Sequence, residues 1–253
     1  FDARVVVSAM NPVSTLLDLL PQDSLDPDLC ATLGQLPMQG CMAKVYLALD
    51  ALPEYAASRS RDETQLMHRC GFRAGPSVAG MDQAFHKALN GDWSGEPIIY
   101  GIVQTAIDDS LNPQGQHLMS LSICYAPYDL KGGTWDAQKD DWVRHTVDAL
   151  AEHMPNLPEI IVDHGVLTPQ NLEDRYGLRE AHALHGEVMT SRMFHWRPLS
   201  GHSDYTSPIR GLYFCSNGTW PANYVTGLPG RNAGLKVLAD LSREIPNPKR
   251  QDE

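Results

Sequence analysis

No stretch of this chain reads Gly-x-Gly-x-x-Gly, so the usual fingerprint that seats a dinucleotide pyrophosphate on a helix N-terminus is missing. Its five cysteines (30, 41, 70, 124 and 215) are odd in number, scattered, and without C-x-x-C spacing. That excludes a disulfide framework and a cysteine-type zinc site, and predicts reduced, mostly buried thiols. No apolar run approaches the roughly 20 residues that cross a bilayer, and no secretory leader is visible. A cytoplasmic protein, at most peripheral to a membrane, is the expectation. Positive charge is also scarce: 20 Lys and Arg face 31 Asp and Glu, a net charge of −11. Nucleic-acid binding relies on clustered basic side chains, so a nucleic-acid groove is disfavoured, whereas an uncharged or lipophilic small organic substrate is not.

What the chain does contain is a mixed α/β pattern. Ala3 to Ala9 is short, continuous and β-branched and reads as a buried strand, broken by Asn11-Pro12. Val13 to Leu20 then reads as a helix. Met42 to Leu49, Ile98 to Ala106, His117 to Tyr125 and Glu159 to His164 read as strands. Asp82 to Asn90 reads as a helix ended by Gly91. The clearest helix runs from Trp135 to Met154, with Thr134 as its cap and Val143, Val147, Leu150 and Met154 on one face. Thr168-Pro169 opens another helix, closed by Gly177. Residues 245–253 read as a charged, Pro-rich, flexible tail.

The most informative stretch is 211–234. An apolar strand, Leu212 to Cys215, runs into a polar loop that closes with Gly227, Pro229 and Gly230 just before a helical pattern. Strand, loop and helix N-terminus together place backbone N–H groups where an anion or an electron-rich ring can meet them.

Several segments in order give this stretch a context. Val5-Val-Val-Ser-Ala-Met-Asn-Pro12, Asp109-Ser-Leu-Asn-Pro-Gln-Gly115, Ala126-Pro127-Tyr128, Trp135-Asp136, Thr168-Pro169-Gln-Asn-Leu-Glu173, Arg197-Pro198, Gly211-Leu-Tyr-Phe-Cys215 and Gly227-Leu-Pro-Gly-Arg-Asn-Ala233 follow one another along the chain. Together they resemble the C-terminal half of the phytoene dehydrogenase-like FAD-dependent oxidoreductases, the group of carotenoid desaturases, retinol saturase and pyridine nucleotide-disulfide oxidoreductase domain proteins. The resemblance implies the C-terminal part of an FAD-binding fold, a mixed-sheet substrate lobe plus a returning strand-loop-helix, without the N-terminal βαβ unit that holds the ADP moiety. The implied organisation is 1–12 as a strand of the FAD domain, 13–199 as the substrate lobe, 200–244 as the terminal FAD-contacting segment and 245–253 as the tail. The opening residue, Phe1 rather than Met, agrees with a fragment or processed product.

The resemblance also implies roles for particular residues. Gly227, Leu228, Pro229, Gly230 and Arg231 would lie at the flavin ring, with Ser216 and Asn217 near the ribityl or pyrophosphate. Where relatives commonly carry Gly-Ala-Gly-Thr-His-Pro, this chain has Ser216-Asn-Gly-Thr-Trp-Pro221, so Trp220 and Tyr224 would stack on the flavin, border the substrate or fill the flavin's space. His185 and Arg197 are further candidates for the substrate cavity. Hydride transfer between FAD and a lipophilic or small organic substrate is the implied reaction. An FAD-binding N-terminal half, a partner chain or a homodimer would complete the site, and a cofactor-free degenerate relative is the other alternative.

Other patterns read as structure. His182 and His185 have metal-ligand spacing only if helical, and no cysteine or carboxylate completes a set, so no metal site is expected. Asp108-Asp109 reads as a turn before Ser110 and Pro113, Asp140-Asp141 as a solvated helix face, and Arg197 as a salt-bridge residue if it does not face substrate. Cys215 reads as an inert thiol, and Met67, Met119, Met189 and Met193 as core.

Overall fold

The computed structural model describes residues 2–21, 23–38, 42–111, 115–221 and 225–244. In chain order the elements are β1 (Val6–Ser8), α1 (Pro12–Leu17), α2 (Pro27–Gly34), β2 (Met42–Leu49), α3 (Arg61–His68), β3 (Phe72–Ala74), α4 (Val78–Leu89), β4 (Ile98–Val103), β5 (His117–Cys124), α5 (Trp135–Ala151), α6 (Leu157–Ile160), β6 (Ile161–Leu167), α7 (Pro169–Tyr176), β7 (Leu212–Phe214) and α8 (Leu228–Glu244). They form two compact units, one made of residues 1–38 with 182–253 and the other of residues 39–181. The chain is therefore mixed α/β, with one parallel and one antiparallel sheet.

The 39–181 unit is a five-stranded sheet in the order β3-β4-β5-β2-β6, every pairing antiparallel. Strict alternation decides its two faces. Along β2, Ala43, Val45, Leu47 and Leu49 are fully buried, while Met42, Lys44, Tyr46 and Ala48 lie on the other face and are half-buried. Met119, Leu121 and Ile123 of β5 and Ile99 and Val103 of β4 extend the apolar face, and α5 lays Trp142, Val143, Val147 and Leu150 into the same core. Trp135 packs edge-on against Trp142 at 5.4 Å, and its Nε1 donates to Pro127 O at 3.0 Å.

In the other unit β1 pairs in parallel with β7, Val6 opposite Leu212 and Ser8 opposite Phe214. Val13 and Leu16 of α1, Leu33 of α2, Met38, Leu199, Leu212 and Phe214 form its core. Asn11 caps α1 by accepting from Val13 N at 2.9 Å, with Pro12 in the first turn.

Several expectations need correction. The β1 strand is three residues long and not buried, with Val6 and Val7 54% and 44% exposed, because among the described residues it pairs only with β7, in a two-stranded sheet. Pairing in β4 stops at Val103, and residues 104–106 turn as a 3-10 segment. Glu159 belongs to a short helix, since Pro158 suits a first helical turn and Leu157 and Ile160 both reach the core, and the strand starts at Ile161. The α5 helix ends at Ala151, and Thr134 stands at its N-cap without a capping hydrogen bond. None of the described cysteines is fully buried: Cys30, Cys124 and Cys215 are half-buried and Cys70 is exposed. Met119 is core and Met67 packs beside it, but Met189 is exposed.

Residues 112–114 and the tail from 245 lie outside the described residues. By contrast α7 forms as read, with Thr168 and Asn171 exchanging capping hydrogen bonds and Gly177 left-handed at φ 63°.

Candidate functional site

The strand-loop-helix of residues 211–234 is held from both ends. Val6 N donates to Gly211 O at 2.9 Å and Cys215 N to Ser8 O at 2.8 Å, which locks β7 beside β1. Tyr213 then donates to Asp240 Oδ2 of α8 at 2.9 Å, and Lys236 spans Asp240 Oδ1 at 3.1 Å and Asp204 Oδ2 at 3.0 Å. The hydrogen bonds from Lys236 and Tyr213 hold the Asp240 carboxyl below its ordinary pKa. The helix thus has its direction fixed relative to the strand that precedes it.

Between strand and helix the loop is tight. Ser216 is buried, its Oγ accepting from Gly218 N at 3.1 Å and its carbonyl from Thr219 N and Oγ1 at 3.0 and 2.8 Å. The Ser216 hydroxyl is therefore engaged in the turn. Gly218 is dictated by packing, since a Cβ there would lie 2.3 Å from Cδ and 2.5 Å from Cγ of Pro12. The Pro12 ring cannot rotate away, so Gly218→Ala is expected to cost about 1–3 kcal/mol, readable as a lower denaturation midpoint. An unchanged midpoint would mean that α1 does not press on the loop.

The loop's far end is tied by Tyr205, whose hydroxyl donates to Trp220 O at 2.5 Å and accepts from Asn232 Nδ2 at 2.7 Å. The Trp220 ring is half-buried and packs on Phe194, centroids 4.6 Å apart. Tyr224 lies outside the described residues.

The helix start is open. Gly227 is left-handed at φ 72°, Leu228 N donates to Thr226 Oγ1 at 3.3 Å, and Gly227 O accepts from Arg231 N at 3.0 Å. Pro229 is buried, whereas Gly227, Leu228, Gly230 and Arg231 are exposed. Apart from chain neighbours and the helix's own backbone, no atom of the described residues lies within 4 Å of where a Cβ would stand on Gly227 or Gly230. The first turn of a 17-residue helix carries partial positive charge, and among the described residues nothing packs on its two glycines.

Arg197 sits behind the loop. It is 4% exposed, and its guanidinium donates to backbone carbonyls alone: Nη1 to Glu187 O at 3.0 Å, and Nη2 to Gly186 O at 3.2 Å, Asn217 O at 3.0 Å and Leu184 O. Among the described residues the guanidinium meets no carboxylate; its two terminal nitrogens are taken up by four carbonyls from two segments, 184–187 and Asn217, rather than presented to a substrate. Burial, aided by Arg192, lowers its pKa to about 10, so it stays charged at neutral pH. Asn217 completes the link, its Nδ2 donating to Ala183 O at 3.3 Å.

His185 lies beside this hub, left-handed at φ 55°, and burial together with the Arg197 charge pushes its pKa down to about 4. It is neutral at pH 7. Its Nδ1 and Arg197 Nε are buried without a partner, and both residues line a cavity of about 20 Å³, room for one water. His182 and His185 are not on a helix. The Nδ1 of His182 accepts from Leu184 N at 3.3 Å, and no group of three metal-ligating side chains occurs among the described residues.

Elsewhere, Asp108 accepts from Ser110 N and Oγ, a turn as read, and Asp141 pairs with Arg144 at 2.9 Å on the exposed side of α5. One cluster escaped the sequence reading. On the polar face of the five-stranded sheet, Lys44 Nζ donates to Ser120 Oγ and Ser122 Oγ, each at 3.0 Å, and lies 5.5 Å from the Tyr46 ring centroid. The only sequence signal was polar residues at alternate positions of two strands.

No family model matches the chain. It is 34% identical over 244 residues to the pyridine nucleotide-disulfide oxidoreductase domain-containing protein 2 of Rattus norvegicus and 33% identical to that of Mus musculus, covering 94% of this chain and 42% of each relative. Over 121 residues it is 28% identical to a limonene dehydrogenase subunit of Castellaniella defragrans, 47% of this chain and 22% of that protein. A crystal structure of an oxidoreductase from Methanosarcina mazei aligns over 95% of this chain and 43% of its own, at 15% identity and TM-score 0.49. The chain is thus related in sequence to proteins named as oxidoreductases. It spans about two fifths of the length of the curated relatives it matches over nearly its whole length. No helix among the described residues is long and apolar enough to cross a membrane.

Proposed function

We propose that this chain is the C-terminal portion of a phytoene dehydrogenase-like, FAD-dependent oxidoreductase acting in the cytoplasm on a small or lipophilic organic substrate. The observation that carries the reading is the open N-terminus of α8, set by β7 and the Tyr213–Asp240 bond, with free space over Gly227 and Gly230. When bound, FAD supplies the hydride-accepting chemistry. Here Gly227 to Arg231 would hold it, since the helix dipole favours negative charge placed at its first turn and the two glycines leave room for a planar ring. Asn217 and the backbone of Ser216 would face its ribityl or phosphate side, with Arg197 fixing their position. Within the 13–199 stretch that the resemblance gives to the substrate lobe, the compact unit 39–181 would be the part that serves it.

The pyrophosphate-binding half would come from elsewhere, as an N-terminal half or a partner chain. The exposed apolar pair Val6 and Val7 favours polypeptide adding to that parallel sheet, since such sheets are ordinarily covered on both faces. That one relative is itself named as a subunit supports the partner-chain form. A second copy of this chain covering the same strand is the other form.

The visible spectrum of the chain combined with its FAD-binding half tests this. A bound flavin is expected, and Gly230→Trp, which fills the space over the helix start, is expected to abolish it while leaving the fold intact by circular dichroism. Undiminished flavin in that variant, or a complex colourless with added FAD, would overturn the placement.

A further inference from the structure

The 39–181 unit carries a cationic site that the reaction class does not require. The pairing register aligns Arg73, Tyr100, Ser122, Lys44 and Leu167 as one row across five strands, with Ile102, Ser120, Tyr46 and Gly165 as the next. Side chains directly opposite across a sheet stand within contact of one another. Lys44 therefore sits between two serine hydroxyls and beside the Tyr46 ring, with Tyr100 two strands away in the same row, on the face opposite the apolar core.

Two of the ammonium's N–H groups are donated to Ser120 and Ser122. A lysine ammonium has a third. Lys44 has no carboxylate partner among the described residues. Arg73 adds a second cation, its guanidinium 4.9 Å from the Tyr100 ring centroid. Asp163, the acidic residue of the same face on β6, pairs with Ala48, well along the strand from Lys44. Partial burial lowers the Lys44 pKa, the sign of a charge short of solvent. A half-buried, preorganised ammonium with aromatic neighbours and a donor to spare is built to receive an oxyanion on a flat apolar body.

We infer that Lys44, with Ser120 and Ser122 as its positioning residues, binds a carboxylate-bearing organic ligand whose apolar part lies against Tyr46 and Tyr100. The inference rests on the reading of residues 39–181 as a substrate lobe, and narrows the substrate from any lipophilic molecule to an organic acid.

Sodium benzoate is the probe, titrated into the chain at fixed ionic strength with chloride as the balancing anion, while the Tyr46 and Tyr100 ring resonances are followed. A saturable shift at millimolar concentration is expected, absent with the neutral isostere benzyl alcohol. Lys44→Met should weaken binding at least about ten-fold, and the Ser120→Ala/Ser122→Ala double variant about three-fold, with Lys44→Arg close to wild type. No saturable shift, equal binding of benzyl alcohol, or undiminished binding by Lys44→Met would each overturn the site. The methyl resonances of Val45 and Leu47 report whether the sheet is intact, and if Lys44→Met perturbs them, the arginine and double-serine variants decide. No flavin is needed for this titration. A chain that binds benzoate but yields a flavin-free complex sinks only the oxidoreductase reading, and the opposite pair of results sinks only the carboxylate site.

Discussion

Replacing Arg197 by methionine is expected to destabilise the unit formed by residues 1–38 and 182–253 by about 3–5 kcal/mol, the range for breaking a buried charged network by removing one partner. Methionine keeps much of the apolar stem but none of the donors. The carbonyls of Leu184, Gly186, Glu187 and Asn217 would lose their partner inside a nearly dry pocket. Each buried acceptor left unpaired costs on the order of 1–3 kcal/mol. Arg197→Lys should recover only part of the loss, because one ammonium cannot reach all four carbonyls that the fork serves. Denaturant titration followed by far-ultraviolet circular dichroism measures the change. Amide exchange localises it, with protection expected to fall at residues 184–187 and 216–219 first. A variant with wild-type midpoint and unchanged exchange there would show that Arg197 does not hold the loop. Under the proposed flavin reading, because Asn217 lies in that loop, the same variant should also weaken flavin uptake by the chain combined with its FAD-binding half without touching the helix start at Gly230.

A loss of similar size is expected in the other unit from Trp142→Ala, about 3–5 kcal/mol by the cost of truncating a buried tryptophan. Trp142 is 1% exposed, meets Trp135 edge-on, and occupies the centre of the face that α5 lays on the sheet. Its removal forfeits buried apolar area and leaves a cavity that a packed helix and sheet cannot close. The control lies two residues along the same helix, on its exposed side: Arg144→Ala, which breaks an exposed ion pair with Asp141, is expected to change stability by no more than about 0.5 kcal/mol. Urea unfolding followed by circular dichroism separates the two. Equal effects from both substitutions would mean that the helix faces are misassigned.

The Arg197 hub also explains why the loop departs from a glycine-rich run. Ser216 supplies the hydroxyl that caps its own turn, and Asn217 supplies both a carbonyl to Arg197 and an amide to Ala183. These side chains, placed near a cofactor by the sequence reading, are first of all the stitching of the loop. Trp220 likewise has its partners, Phe194 for its ring and Tyr205 for its carbonyl. Among the described residues, nothing packs on Gly227 or Gly230 at the helix start.

By itself the sequence determined whatever is written in neighbouring residues. The α7 helix was legible from Thr168-Pro169 to Gly177 because caps act within a turn. The β2 strand was legible from Met42 to Leu49 because alternation is a local period, and the turn into α8 from its glycines and proline. Tertiary structure decided the rest. Burial of β1 could not be read from three valines, because exposure depends on what lies across the sheet. The role of Arg197 follows from carbonyls on two separate segments, 184–187 and Asn217, and the lysine–serine cluster joins residues 76 positions apart. Such contacts carry no period along the chain. They exist because strand register and loop closure bring distant donors and acceptors together, and a buried group must then take whichever partner the fold delivers.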